Sequence, residues 1–272
     1  MKRTEVKMRN LKRYLRIYWI FGSNVMSILF QSRLDFLLLF IGKLIVFGLT
    51  FLWLFSVFNQ VENIAFYSRD QVILFFAVFS IIDRFVQVFL YRSLWFVQDY
   101  VRTGSFDKLL TLPLNSKFIA TFRQTDWNEM LMLIPSIALL VYAVRNLNLE
   151  INISVVVGFI ALCAVSIVIA YSLILAVAAT SFRAIRVDGL YNLYRDLTGV
   201  SRFPPEVYGQ IVSSILLFII PVLTIVAVPS KFLLGMASPL MMFTALLLAS
   251  ALYLLSHLYW SNSIRNYTSA SS

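Results

Sequence analysis

The sequence predicts an all-α integral membrane protein, and its composition and its apolar runs carry that prediction. Hydrophobic residues make up 60% of the 272 residues and charged residues 13%, whereas soluble domains average about 45–50% and about 25%. The mean hydropathy is +0.82. A soluble fold of this length lacks the polar residues to cover so much apolar surface, and disorder requires low hydropathy. Both classes are therefore excluded.

Six apolar runs approach the length of about 20 residues that a membrane-spanning helix needs. The predicted spans are about 36–58, 71–91, 127–144, 153–182, 211–228 and 238–260. Backbone polar groups in lipid are satisfied only in helices or closed barrels, and long runs without alternation exclude the barrel. We expect a single transmembrane domain over residues 35–262 and a disordered polar tail over 263–272.

Residues 1–34 are predicted to form a basic, amphipathic helix in the membrane interface. Leu11, Tyr14, Tyr18 and Gly22 recur at helical spacing, and cations such as Arg13 lie largely on other sides. A solvated helix or a frayed tail is the alternative. The stretch is too long and too polar for the start of a cleaved signal peptide, so we expect no cleavage.

The distribution of Lys and Arg predicts the orientation of the spans. Eight lie in the first 33 residues, five in 92–126, four in 183–209 and one in the tail, eighteen in all. The opposite loops hold only three: Arg69, Arg145 and Lys231. Positive charge stays on the cytoplasmic side, so six spans with both termini cytoplasmic are expected. This explains the net charge of +10 without a nucleic-acid partner.

The sequence contains no enzyme signature of the common kinds. GxxxxGK[ST], HExxH and GxSxG are all absent. The chain has one histidine, His257, and one cysteine, Cys163, which removes most metal sites, since zinc needs three or four ligands. We predict no catalytic residue, no metal site and no cofactor bound by this chain.

Charged residues inside the apolar runs are a second candidate site, because such charges are costly in lipid and often functional. Lys43 is expected to extend to the inner headgroups. Asp83 and Arg84 lie in the middle of the second run and, as helix neighbours, are not expected to face each other, whereas Asp83 and Gln87 share a face. The group either fixes helix packing or lines a path through the membrane.

The loop from Val101 to Asn115 is the most informative stretch of the chain. Ser105 can cap a short helix, Gly104 permits a sharp approach to it, and Pro113 ends it. An apolar edge on this helix is formed by Phe106, Leu109 and Leu110. Such a helix either rests on the membrane or inserts into a groove of a partner protein.

The pattern Arg-x-Gly-x-Phe-Asp-x-Leu-Leu-x-x-Pro-Leu, from Arg102 to Leu114, resembles the first cytoplasmic loop of type-2 ATP-binding-cassette exporter permeases. Ser201–Tyr208, the apolar helix with Pro221 and the segment Val228–Gly235 resemble a bacterial six-span subfamily of these permeases. The resemblance covers nearly the whole chain. The pair Pro204-Pro205 departs from the usual single proline, which affects only the local geometry.

The resemblance implies a transport subunit without its own ATP-binding site, located in the bacterial cytoplasmic (inner) membrane. Its partners would be a second permease, as a copy or a sister chain, and separate ATPase subunits that hold ATP and Mg. The loop would be the coupling helix, with Phe106 and Leu110 anchored in the ATPase. The residues implied in coupling are Arg102, Gly104, Phe106, Asp107, Leu110 and Pro113.

Residues 183–209 carry a third candidate site, a secondary contact with the ATPase. The residues implied are Arg186, Arg195 and Arg202. A solvated or interfacial helix that touches lipid headgroups is the alternative.

Two further functions stay open at the level of sequence. One is an autonomous secondary carrier or channel that uses Asp83 and Arg84, against which the scarcity of intramembrane carboxylates argues. The other is a non-transporting membrane scaffold, which would not need the loop motif. The substrate is not indicated by any motif.

Overall fold

The computed structural model describes residues 2–31, 33–58, 63–184 and 186–267, without the side chains of residues 2–11, 28–31 and 33. Five helices are long and apolar enough to cross a membrane, and a bent helix pair could provide a sixth span. The five are Leu34–Phe58, Arg69–Arg102, Trp127–Asn146, Ile153–Thr180 and Pro239–Arg265. The prediction of a helical, multi-span protein is confirmed.

The described chain is helical apart from turns and one short hairpin. The helices are α1 Lys2–Gln31, α2 Arg33–Phe58, α3 Arg69–Val86, α4 Arg92–Trp95, α5 Val97–Arg102, α6 Phe106–Leu110, α7 Ser116–Phe122, α8 Trp127–Leu131, α9 Leu133–Asn146, α10 Ile153–Thr180, α11 Asp188–Val200, α12 Gln210–Ser214, α13 Val222–Leu233 and α14 Pro239–Arg265. Strands β1 (Asn63–Ile64) and β2 (Tyr67–Ser68) pair antiparallel. The remaining helical segments are π-helical at Gln87–Tyr91 and Ile215–Ile219 and 3-10 at Pro205–Tyr208.

The bundle has two ends with different connections. At the end that we call the basic end, α5 is followed by residues 103–126 and α10 is connected to α11. At the opposite, short-loop end, it turns through the β1–β2 hairpin, 147–152 and 234–238. The expected cytoplasmic side corresponds to the basic end.

Helix α3, the π-helical segment, α4 and α5 form one long rod of 34 residues that runs beyond the predicted span 71–91. A rise of about 1.5 Å per residue makes it about 50 Å long, against about 30 Å for the hydrocarbon core. The backbone N–H of Asp126 donates to the carbonyl of Val88 at 3.1 Å, so α8 starts at the level of Val88. The rest of the rod continues toward the basic end, where Leu94 and Val97 are still fully buried.

Helix α1 packs along the basic end through one side of its apolar stripe. Its Tyr14 ring lies 4.6 Å from that of Phe118, and the Trp127 indole N–H donates to the carbonyl of Gly22 at 3.0 Å. Leu15 and Trp19, on the adjoining side, stay exposed. One part of the apolar face of α1 therefore packs against the bundle through Tyr14 and Gly22, and the part with Leu15 and Trp19 is exposed.

Helix α11 corrects the prediction that 183–209 is a loop on the basic side. Near its start the Tyr191 hydroxyl donates to the carbonyl of Leu94 at 2.6 Å, and beyond its end the Arg202 guanidinium lies 5.7 Å from the ring centre of Phe79. The helix therefore runs antiparallel to the long rod and enters the bundle. It is short and polar, so it produces no run of about 20 apolar residues.

The predicted span 211–228 is not one straight helix. The chain bends by 96° between the segment Gln210–Ile219 and α13, at Ile220 and Pro221. Proline has no N–H and interrupts a helix at that point. Helix α13 is buried from Val222 to Ser230 and forms the centre of the bundle, against α10 and α3.

Close packing of α13 on α10 depends on a glycine. A Cβ atom at Gly158 would lie 2.5 Å from the tip of the Phe232 ring, so a larger residue at 158 would force that ring to shift.

The last helix, α14, extends to Arg265, so the tail expected from residue 263 begins later. The final part of that predicted tail, 268–272, lies outside the described residues.

Candidate functional site

A cluster of four charged side chains joins three helices within the bundle. The Lys43 ammonium on α2 lies 2.7 Å from Glu129 Oε1 on α8, and the Arg84 guanidinium on α3 donates to Glu129 Oε2. Arg84 also contacts Asp83 Oδ2 at 3.3 Å, and Gln87 hydrogen-bonds Asp83. Two cations and two carboxylates thus compensate one another, as buried charges must.

The cluster corrects three expectations. Lys43 turns to Glu129 instead of extending to headgroups, and Asp83 and Arg84 contact each other because the long arginine side chain folds back. Asp83 is also not the lone carboxylate, since Glu129 lies beside it. Sequence reasoning missed Glu129 because it stands at the start of a predicted span, where a charge looks ordinary. No local spacing links it to residues 43 and 84.

The cluster lines a cleft of about 780 Å³ between α2, the long rod, α8 and α11. Leu38, Leu39 and Val46 on α2 form an exposed apolar wall, and Phe76 and Phe79 stand opposite. Two further cations, Arg195 and Arg202, line the same cleft. These two residues, predicted together with Arg186 as a cytoplasmic contact, therefore lie in a different cleft from Arg186.

Phe106, the residue predicted to anchor the loop in the ATPase, is buried within this chain itself. Phe106 is fully buried, with its ring centre 4.8 Å from that of Phe182, 6.5 Å from Trp260 and 5.9 Å from Tyr267. The expectation that Phe106 inserts into a groove of the ATPase is therefore wrong. It fixes α6 to the ends of α10 and α14, because burying an aromatic ring there removes its surface from water.

The backbone of the loop depends on Gly104, whose φ is +68°. Such a left-handed conformation favours glycine, which has no Cβ to clash. Ser105 occupies the N-cap position of α6 but makes no capping bond, and its hydroxyl accepts a hydrogen bond from Thr103 at 2.9 Å instead. Asp107 lies half-buried on α6.

The outward side of the loop is apolar and flanked by cations. Leu110 is 42% exposed and Leu112 41% exposed, and Pro113 beside them is exposed too. Arg102, which pairs with Asp99 at 2.9 Å, lines a second cleft of about 270 Å³ together with Arg186. The structure thus brings together two arginines that the sequence assigned to separate candidate sites.

At the short-loop end, polar contacts of Glu206 join the segment after α11 to α13 and to the hairpin. Glu206, after α11, accepts a hydrogen bond from Lys231 of α13 at 2.5 Å and lies beside Tyr67 of β2. Burial and the Glu206 carboxylate both raise the pKa of Tyr67, which keeps its hydroxyl protonated as a donor. These contacts of Glu206 connect the bent helix pair to the hairpin.

In the described part of the chain, no three His, Cys, Asp or Glu side chains come together as a candidate metal site.

The family to which the chain belongs follows from its sequence profile. The profile of the ABC-2 family transporter protein matches residues 44–271, which is most of the chain and includes the loop, the bent pair and the part of the cleft lining after Lys43. No curated protein and no solved structure matches significantly. The chain therefore belongs to the ABC-2 transporter family and is a multi-pass membrane component of an ATP-binding-cassette transporter.

Proposed function

We propose that this protein is the permease subunit of an exporter in the bacterial inner membrane, driven by separate ATPase subunits that dock on the loop 102–114. The observation that carries the proposal is the division of α6 into two faces. Phe106 and Leu109 are buried in the bundle, while Leu110 and Leu112 remain exposed at the basic end. The family has no ATPase domain of its own, so a partner must supply ATP and Mg.

The exposed apolar edge suits insertion into a groove of a partner. Leu110, Leu112 and Pro113 form a small exposed apolar surface, and Arg102, Lys108 and Arg186 are exposed at the same end of the bundle. An apolar centre with a charged rim is the usual anatomy of a protein interface. In this proposal the basic end, which α1 and the end of α14 reach, faces the cytoplasm.

The buried face supports transmission of movement into the membrane domain. Phe106 contacts Phe182 next to the end of α10 and Trp260 on α14. A displacement of α6 by the ATPase therefore acts on two long helices at once, because packed interiors transmit strain. In the proposed mechanism these helices move relative to α2, which has few contacts with the rest of the chain and walls the cleft.

Translocation would require a second permease, either a copy of this chain or a sister chain, packed across the weakly covered α2 side. An autonomous carrier is less well supported, because Asp83 and Glu129 both have cationic partners and neither stands ready to bind a coupling ion. A scaffold function does not account for the exposed apolar edge of α6.

The test is purification of the tagged wild-type protein and a Leu110→Asp variant from native membranes in mild detergent. We expect the wild type to retain a stoichiometric ATPase subunit and ATP hydrolysis, and the variant to lose at least nine tenths of both. The control is Phe66→Asp, which makes the same kind of change at a residue that is 98% exposed at the opposite end. Undiminished ATPase retention by Leu110→Asp would overturn the docking assignment.

A further inference from the structure

The cleft between α2 and α11 carries a charge imbalance that the ion-paired cluster does not explain. Its lining contains four cations, Lys43, Arg84, Arg195 and Arg202, and two carboxylates, Asp83 and Glu129. Lys43, Arg84 and the two carboxylates pair with one another. The lining therefore keeps a formal charge of +2, and that excess belongs to the two arginines of the α11 side.

Neither of these arginines has an acidic partner among the ion pairs of the described residues. Arg195 is exposed, and the carboxylate next to it in sequence, Asp196, does not line the cleft. Arg202 donates its Nε–H to the carbonyl of Gly199 at 2.6 Å, and its guanidinium stands over the Phe79 ring. Asp83 attracts Arg202 over a longer distance but is already paired with Arg84. Two cations in excess in one cleft of a membrane domain are costly unless an anion joins them.

Gly199 sets the place of the second arginine. A Cβ atom there would lie 2.9 Å from an Arg202 terminal nitrogen, so the glycine leaves room for the guanidinium beside the helix end. Arginine presents a planar fork of N–H donors that suits the oxygens of phosphate, sulfate or carboxylate. The wall formed by Leu38, Leu39 and Val46 offers apolar surface next to it.

We propose that this cleft binds an anionic amphiphile, with its oxyanion headgroup between Arg195 and Arg202 and its alkyl chain along α2. The same proposal names the substrate class of the exporter, and in that part it rests on the proposed function. The neutral cluster of Lys43, Asp83, Arg84 and Glu129 closes the polar side of the cleft without competing for the headgroup.

The experiment measures binding by native mass spectrometry of the purified wild-type chain in a neutral detergent. The probes are dodecyl phosphate, dodecyltrimethylammonium and inorganic phosphate. We expect dodecyl phosphate to bind at least about tenfold more tightly than dodecyltrimethylammonium, since a charge-assisted hydrogen bond is worth about one factor of ten or more. We expect at least about the same preference over inorganic phosphate, because only the alkyl chain buries apolar surface along α2. Equal binding of inorganic phosphate, or of the cationic amphiphile, would overturn the assignment.

The double variant Arg195→Gln/Arg202→Gln is expected to lower the affinity for dodecyl phosphate by about a hundredfold. The matched control, Arg145→Gln/Arg265→Gln, removes the same charge at two exposed residues outside the cleft and should change the affinity less than threefold. Equal loss in both variants would indicate only general attraction of anions to a basic protein. Unchanged binding in the first variant would contradict the site directly.

Two further measurements distinguish the binding site, the substrate assignment and the proposed function from one another. Displacement of dodecyl phosphate by an equal concentration of phosphatidylglycerol would indicate a resident bilayer lipid and overturn the substrate assignment. Binding with the expected preference, but without a co-purifying ATPase, would leave the site intact and contradict the proposed function instead.

Discussion

Helices α6 and α2 are both joined to the bundle at a few points, but by contacts of different kinds. Helix α6 is held by an apolar contact, the burial of Phe106 against Phe182, Trp260 and Tyr267. In the most apolar stretch of α2, only 6% of the residues are buried, and its polar attachment is the Lys43–Glu129 ion pair. Ring contacts such as Phe47 with Phe76 add to it.

The difference indicates what each element can do. Separating the buried rings would lose close packing that neither water nor lipid can replace. We therefore expect α6 and the ends of α10 and α14 to move together. An ion pair beside an open cleft can separate, because water that enters the cleft solvates the two charges. We therefore expect α6 to transmit movement and α2 to yield to it.

The largest expected effect comes from removing the ring that holds α6. Phe106→Ala should lower the free energy of unfolding by about 4 kcal/mol, since it leaves a cavity in a packed aromatic cluster. In a chain of this size, the midpoint of thermal unfolding should fall by about 10 °C in detergent. Leu110→Ala is the control, and its effect should stay within about 0.5 kcal/mol. Similar melting of both variants would show that Phe106 does not anchor the loop.

The next effect tests the attachment of α2. Glu129→Gln leaves Lys43 and Arg84 without their shared carboxylate, and we expect a loss of about 3 kcal/mol. This is the lower part of the range for a broken buried pair, because the two cations keep 27% and 25% of their side-chain surface exposed.

Hydrogen exchange locates the damage from Glu129→Gln. Amide exchange should accelerate in α2 and stay unchanged in α14, whereas Glu150→Gln, at an exposed loop residue, should alter neither. Uniform acceleration over all helices would mean that the cluster supports the whole bundle and not α2 in particular.

The smallest effect concerns the turn that leads into α6. Gly104→Ala places a side chain at φ +68° and should cost about 1 kcal/mol. Gly189→Ala, in α11 with open space around it, should instead gain up to about 1 kcal/mol from the higher helix propensity of alanine. Chemical denaturation of both variants checks the opposite signs. A neutral Gly104→Ala would mean that the turn tolerates another backbone conformation.

The candidate sites show where sequence reasoning stops. The loop from Arg102 to Pro113 could be recognised because its glycine, proline and apolar edge are neighbours in the chain. Which side of that edge is buried could not be predicted, since the partners Phe182 and Trp260 are distant in sequence. Glu129 was missed for the same reason, and the depth of Arg195 and Arg202 depends on how α11 packs.

The sequence by itself determined that the chain is a helical membrane protein, roughly where its long apolar helices lie, and which loop resembles a coupling helix. Composition and apolar length suffice for this, because lipid demands both from every spanning helix. Only the tertiary structure decided that Phe106 faces inward, that Lys43 and Arg84 share Glu129, and that α11 enters the bundle. Burial and ion pairing arise from contacts between distant segments, which no local pattern encodes.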